Sequence, residues 1–281
     1  MAVSEKYYHL HLISDSTGET LNVVAKAVCA QFVGARAIEH VYALVRGKKP
    51  LTRAIATIEE NPGPVMFSII DAGLRQELER ACDRLQVPCM SVLDPFVSTM
   101  GAYLNAEISG KPGSQHEMDT DYFKRIAALN YTIRHDDGQS QGDLDDADVI
   151  LTGVSRTSKT PTCMYLANRG IKAANVPLVP GIDPPTELLN ATRPLIVGLT
   201  TSTERLMQIR KNRLLSMHEA NETEYVDPEL IKSETAEARR LFARNNWPVI
   251  DVTRRSIEEI ASAILNLYQE HVAKPAELRG L

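Results

Sequence analysis

The chain has 281 residues, 43% hydrophobic and 24% charged, with a formal net charge of −5. That length suits two domains of ordinary size, each able to bury a core, and the acidic balance excludes a global electrostatic draw toward nucleic acid or anionic lipid. Cys29, Cys82, Cys89 and Cys163 form no Cys-x-x-Cys pair, which argues for buried thiols over a disulfide or zinc framework. No apolar run approaches a membrane span or signal sequence, so a cytoplasmic protein is expected.

Tyr7 to Ile13 is aromatic and β-branched, which predicts a strand. It runs into Ser14-Asp15-Ser16-Thr17-Gly18-Glu19-Thr20 and then a helical pattern through Val24, Val28 and Phe32. That hydroxyl-rich turn can hold a phosphate or cap the helix, and capping is the favoured reading because Ser, Asp and Thr are common N-cap residues. His9 and His11 share a strand face with no further ligand in the sequence, the pattern of ordinary strand histidines rather than a metal pair. Strands over Ala37 to Val45, Pro64 to Ile70 and Val87 to Leu93 alternate with helices over Leu51 to Glu59 and Leu74 to Leu85. Residues 1–107 therefore read as a Rossmann-like, doubly wound α/β domain. The Gly-x-Gly-x-x-Gly fingerprint is missing, so dinucleotide binding is not supported.

Periodicity breaks at Ile108-Ser-Gly-Lys-Pro-Gly-Ser-Gln-His116, and residues 108–118 are assigned to a linker before a second α/β domain over 119–281. A helix follows from Asp119 through Tyr122, Ile126, Leu129 and Tyr131, ending in Arg134-His135-Asp136-Asp137-Gly138. Asp136 and Asp137 beside a histidine invite a role in holding Mg²⁺ or taking a proton. With Asp143, Asp145, Asp146 and Asp148 close by, a solvated acidic loop and Asp-Gly turn explains them equally well.

Val149-Ile-Leu-Thr152 is a short buried-strand run that stops at Gly153, and Pro161 suits the first turn of a following helix. Between them, Gly153-Val154-Ser155-Arg156-Thr157-Ser158-Lys159-Thr160 matches the phosphate-loop pattern Gly-x-x-x-x-Gly-Lys-[Ser/Thr] except that Ser158 replaces the second glycine. The chemistry still works: backbone N–H groups at a helix N-terminus face an anion, Lys159 adds an ammonium, and Thr160 stands where a hydroxyl meets Mg²⁺. Ser158 costs about 1–2 kcal/mol if φ is positive there. The plainer alternative, in which Gly153 merely ends a strand and Ser158 or Thr160 caps a helix, fits fewer of these residues.

Beyond the loop, Thr162 to Arg169 predicts a short helix. Ala173 to Pro180 predicts either an edge strand or a strand leading into a loop, and Pro194 to Thr200 a buried strand. The next helix carries Arg205, Arg210, Lys211 and Arg213, read as a solvated basic face. Pro228 to Arg244, Trp247 to Val252 and Ser256 to His271 read as helix, strand and closing helix. Asp251 ends its strand as a magnesium-binding aspartate does in some phosphate-loop enzymes, though strand-end aspartates are common.

Taken together these residues resemble a known family, the bacterial and plastid regulatory proteins of pyruvate, phosphate dikinase and of phosphoenolpyruvate synthase. The resemblance is carried by Asp15 to Thr20, by Gly110-Lys-Pro-Gly113 with His116, Met118 and Asp119, and by Tyr122-Phe123 with Arg125-Ile126. It continues through His135 to Gly138, Gly153 to Pro161, Tyr165-Leu-Ala-Asn168 and Ala173 to Pro177. Leu166 to Gly170 and Asn175 to Pro180 look like the dikinase branch.

The resemblance implies a bifunctional kinase/pyrophosphorylase with a phosphate-loop, kinase-like C-terminal α/β domain, and the possibility of a homodimer. ADP would phosphorylate a threonine beside the catalytic histidine of pyruvate, phosphate dikinase, and inorganic phosphate would remove that group as pyrophosphate. Phosphoenolpyruvate synthase is the alternative partner. In that light Gly153 to Thr160 would hold the nucleotide, Lys159 the moving phosphoryl group and Thr160 Mg²⁺, with Asp136 or Asp137 as proton acceptor and Asp148 behind them. A phosphate-loop kinase of a small metabolite and a nucleotide-sensing module without catalysis stay open, because fold does not fix function.

Overall fold

The computed structural model describes residues 5–113, 120–138, 142–216 and 224–273. His116, Met118 and Asp119 lie outside the described residues. The chain divides into two compact units, Met1–Glu117 and Met118–Leu281. Each is an α/β unit built around a four-stranded sheet whose neighbouring strands all pair in parallel.

In the first unit β1 (Lys6–Ser14), β2 (Ala35–Tyr42), β3 (Val65–Ser68) and β4 (Cys89–Ser91) lie in the order β2-β1-β3-β4. They alternate with α1 (Glu19–Cys29), α2 (Lys48–Glu60), α3 (Ala72–Leu85) and α4 (Asp94–Leu104). One sheet face packs Ile13 and Phe67 against Leu51, Ile58 and Leu78, and the other packs Leu10, Leu12 and Met66 against Leu21 and Ala25. This is the two-sided cover a parallel sheet needs.

Two expectations for this unit change. The strand drawn to Val45 stops at Tyr42, and Val45 donates its N–H to the Ser14 carbonyl from a loop. The turn after β1 does not cap α1: Gly18 holds the N-cap position at φ +82° without a side-chain bond, and the Asp15 carboxylate instead accepts the Ile70 N–H at 2.8 Å. His9 and His11 join His40 of β2, with His9 Nδ1 2.9 Å from His40 Nε2 and the His11 ring stacked on that of His40.

The second unit repeats the order. Its strands β5 (Val149–Gly153), β6 (Ala173–Pro177), β7 (Leu195–Thr200) and β8 (Val249–Asp251) run β6-β5-β7-β8. Its helices are α5 (Thr120–Arg134), α6 (Lys159–Ala167), α7 (Thr186–Asn190), α8 (Thr203–Ser216), α9 (Pro228–Arg244) and α10 (Ile257–Ala273). All five residues of β5 are buried. Leu151 and Val197 pack toward Leu166, Ile260 and Ile264, and Ile150 and Ile196 toward Tyr131 and Leu188 on the other side. Gly198 lets α9 approach β7, since a Cβ there would stand 2.5 Å from the buried Phe242 ring.

β6 is an edge strand, one of the two alternatives its prolines allow. In both units the order second, first, third, fourth reverses direction beside the first strand, which sets the ligand crevice of such sheets at the C-terminal end of that strand. In the second unit the segment standing there is Gly153 to Lys159.

Candidate functional site

β5 delivers the chain to Gly153, whose φ of +148° and whose approach to the Leu199 carbonyl, 2.4 Å from an ideal Cβ, leave room for no side chain. The following turn curls tightly, with Arg156 at φ +74° and Ser158 at φ +61° in the left-handed region. Ser158 therefore adopts the conformation that a glycine usually fills. The buried Thr157 hydroxyl donates to the Val154 carbonyl at 3.0 Å and ties the turn across itself. The helix starts at Lys159, three residues earlier than the apolar pattern implies, because the end of the loop is already its N-cap.

Lys159 is 5% exposed, and its ammonium donates to the Gly153 and Val154 carbonyls at 2.9 Å each. Burial pushes its pKa down to about 8, opposed by the nearby carboxylates of Asp137 and Asp136. The ammonium bonds only neutral carbonyls and makes no salt bridge among the described residues, and an arriving phosphate supplies a direct counter-anion.

The turn after α5 brings a second group of side chains to the same place. Asp136 Oδ1 accepts the Thr160 hydroxyl at 2.9 Å and the Asn175 amide at 2.7 Å, and Asp137 Oδ1 accepts the same amide at 3.0 Å. Asn175 comes from the middle of β6, beside β5 in the sheet. It is 1% exposed, and its Oδ1 has no hydrogen-bond partner among the described residues. Backbone bonds between Gly138 and Asn175 (3.1 Å) and between Asn175 and His135 (2.9 Å) fix the turn to the strand. Behind it the buried His135 bonds Asp143 Oδ1 at 2.6 Å and the Tyr131 carbonyl at 2.8 Å, and this imidazole contact holds the Asp143 carboxyl below the usual carboxylate range.

The structure thus brings Lys159, Thr160, Asp136 and Asp137 together and leaves Asp148 out. Asp148 precedes β5 at the end opposite the loop, where its carboxylate accepts the Lys172 N–H at 2.8 Å and the Tyr268 hydroxyl at 3.0 Å. Five strand residues at about 3.3 Å each separate it from the chemistry. Asp251 is likewise occupied, bonding the backbone and hydroxyl of Thr253 in its own loop.

The basic face of α8 is not uniformly solvated. Arg210 is 2% exposed, paired with Glu234 of α9 at 2.7 Å, and lies under the Tyr225 ring. The Tyr225 hydroxyl in turn reaches Ser155 Oγ (3.4 Å) and Arg156 Nε (3.3 Å) on the loop. Sequence reasoning gave no role to Asn175 or Tyr225. A polar residue inside the apolar run Ala173 to Val176 was the one signal for Asn175, and nothing local marked Tyr225.

The site contains hydroxyl, carboxylate and amide oxygens but, among the described residues, no group of three or more His, Cys, Asp and Glu able to hold a metal. No helix among those residues is long and apolar enough to cross a membrane. A family model described as kinase/pyrophosphorylase matches residues 10–265. The chain is 59% identical over 261 residues to a candidate pyruvate, phosphate dikinase regulatory protein of Caulobacter vibrioides, covering 93% of this chain and 83% of that protein. It is 54% identical over 271 residues to a protein of the same name from Bradyrhizobium diazoefficiens, covering 96% of this chain and 97% of the relative. Another from Paramagnetospirillum magneticum is 48% identical over 281 residues, covering 100% of this chain and 89% of that relative.

Proposed function

This chain belongs to the kinase/pyrophosphorylase family, and we propose that it uses ADP to phosphorylate a threonine of pyruvate, phosphate dikinase and inorganic phosphate to remove that group as pyrophosphate. The observation that carries the proposal is the convergence of a buried lysine that makes no salt bridge among the described residues, Lys159, with Thr160, Asp136, Asp137 and Asn175 at the end of one strand. The names of its relatives favour the dikinase as partner.

Phosphoryl transfer spreads negative charge over the moving group, so the protein contributes mainly cations, N–H donors and position. Backbone N–H groups from Gly153 to Thr160 would cradle the terminal phosphate. Lys159 would leave its two carbonyls to meet it. Asp136 and Asn175 hold the Thr160 hydroxyl in place.

The orphaned Asn175 Oδ1, the Thr160 hydroxyl and the Asp136 carboxylate are hard oxygen donors of the kind Mg²⁺ takes when substrate phosphates complete its shell. Those three residues would hold the ion, and bound Mg²⁺ would neutralise charge on the phosphates. Asp136 Oδ1 already accepts two hydrogen bonds and Asp137 Oδ1 one, so Asp137 is the freer group to take the proton of the acceptor. In the kinase direction that proton comes from the threonine hydroxyl as its oxygen bonds the β-phosphorus of ADP, the bond from that phosphorus to the bridging oxygen breaks, and AMP leaves. In the other it comes from inorganic phosphate, which attacks the phosphothreonine and departs as pyrophosphate.

The test is to incubate the chain with the dikinase, phosphoenolpyruvate and ADP, look for phosphothreonine, then supply phosphate and look for pyrophosphate. Both products support the proposal. The same products only with phosphoenolpyruvate synthase change the partner, ATP-dependent transfer to a small metabolite replaces the activity, and nucleotide binding without transfer refutes catalysis.

A further inference from the structure

Arg156 and Ser158 of the phosphate loop also line a cavity of about 680 Å³ that the chemistry above does not use, closed by Thr201 and Ser202 after β7 and by Val252 to Ser256 after β8. The reversal of strand order in this sheet lies between β5 and β7. The cavity is therefore the switch-point crevice in which open α/β sheets take their ligands.

Its charge is unusual. Arg156, Arg205, Arg254 and Arg255 line it, and among the described residues Glu204 is the only acid that does. None of the four guanidinium groups makes a salt bridge among the described residues. Arg205 donates to neutral Gln208 at 3.3 Å and Arg156 to the Tyr225 hydroxyl, while the Arg254 and Arg255 side chains have no polar partner there.

We infer that this cavity takes the nucleoside half of a nucleoside diphosphate whose terminal phosphate lies at Lys159. The inner phosphate meets the guanidinium groups of Arg205 and Arg254, and the base stacks on a guanidinium plane beside Ile209 and Val252. Volume separates this cavity from its neighbour on the Asp137 side, which at about 190 Å³ falls below the roughly 300–1,000 Å³ of small-molecule pockets. A third cavity, of about 370 Å³, touches the loop only at Val154, away from Ser158 and Lys159. The assignment leaves the Asp137 side open to the phosphoryl acceptor, on the opposite flank of the loop. It rests on the phosphate-loop reading of the proposed function.

The experiment combines photolabelling by 8-azido-ADP with calorimetric titration of ADP and inorganic phosphate against the wild-type chain and the Arg205→Gln/Arg254→Gln variant. Label in the peptide holding Val252 to Ser256, with ADP weakened about tenfold or more and inorganic phosphate, which fills only the terminal position, changed less than about twofold, is expected. Label between Leu178 and Pro185, equal weakening of both ligands, or no weakening of ADP overturns the inference. Lys159→Ala separates the two readings. If it leaves ADP and inorganic phosphate binding intact while the label stays at Val252 to Ser256, the phosphate-loop reading fails and the terminal phosphate is placed wrongly, while the nucleoside keeps its place in the cavity.

Discussion

Titrating Lys159 offers a test whose size follows from its surroundings. In the free protein its pKa is lowered from 10.5 to about 8 because burial disfavours the ammonium, with Asp137 and Asp136 pulling the other way. A diphosphate against the ammonium favours the charged form, so ADP binding above pH 8 must take up a proton. At pH 9 about one free molecule in eleven carries the charge, and the ADP dissociation constant should be about tenfold larger than at pH 7.5, a loss of about 1.4 kcal/mol. The terminal phosphate of ADP does not confuse the result, since its second ionisation lies near pH 6 and is complete in this range.

Stability moves the other way. Between pH 8 and 10.5 the unfolded lysine holds more protons than the folded one, so the penalty for burying it, full below pH 8, is relieved as pH rises through that window. Calorimetry in two buffers of different ionisation enthalpy, from pH 7.5 to 9.5, measures affinity and proton uptake together. A flat dissociation constant with no proton uptake would refute the placement of Lys159 against the phosphate.

Other substitutions test separate parts of the account. Ser158→Gly removes the cost of a side chain at φ +61° and, after the extra chain entropy of glycine, should stabilise the protein by about 0.5–1 kcal/mol, read as a higher urea midpoint at unchanged slope. Gly198→Ala pushes a methyl into the Phe242 ring and should cost about 1–3 kcal/mol, seen as a lower Tm; an unchanged Tm would mean α9 can retreat at no cost. Asp137→Asn should lower both activities by about 10²-fold or more without loss of ADP binding, whereas Asp148→Asn should spare both activities and lower stability instead. Equal loss from the two variants would contradict the assignment of the proton acceptor.

The parts of the site legible in the sequence were those with a local physical cause. A buried run ending in glycine and followed by hydroxyls and a lysine marks strand, loop and helix, and Asp136-Asp137-Gly138 marks a tight acidic turn. Asn175 was hidden because its importance comes from β6 lying beside β5, a neighbour relation with no trace in either strand alone. Asp148 misled for the converse reason: five residues from Gly153 in sequence, it stands at the far end of the strand joining them.

Arg210 looks solvated on a helix of weak amphipathicity, and only the packing of α9 supplies its partner Glu234. α4 carries helical apolar spacing at Phe96, Val97, Met100, Tyr103 and Leu104, yet none of its residues is buried, so the sequence reading passed over it. The doubly wound character of the first unit and the α/β class of the second followed from alternating strands and helices. Their shared strand order did not, since it depends on which way each crossover turns.

The central claim is that the loop between β5 and α6 holds the terminal phosphate of the donor through Lys159. A crystal structure of the chain with ADP and Mg²⁺ tests it most directly. The account predicts the β-phosphate within hydrogen-bond distance of the loop N–H groups, with the Lys159 ammonium drawn from the Gly153 and Val154 carbonyls onto it. Nucleotide bound elsewhere, or Lys159 still on those carbonyls beside a bound phosphate, would contradict it.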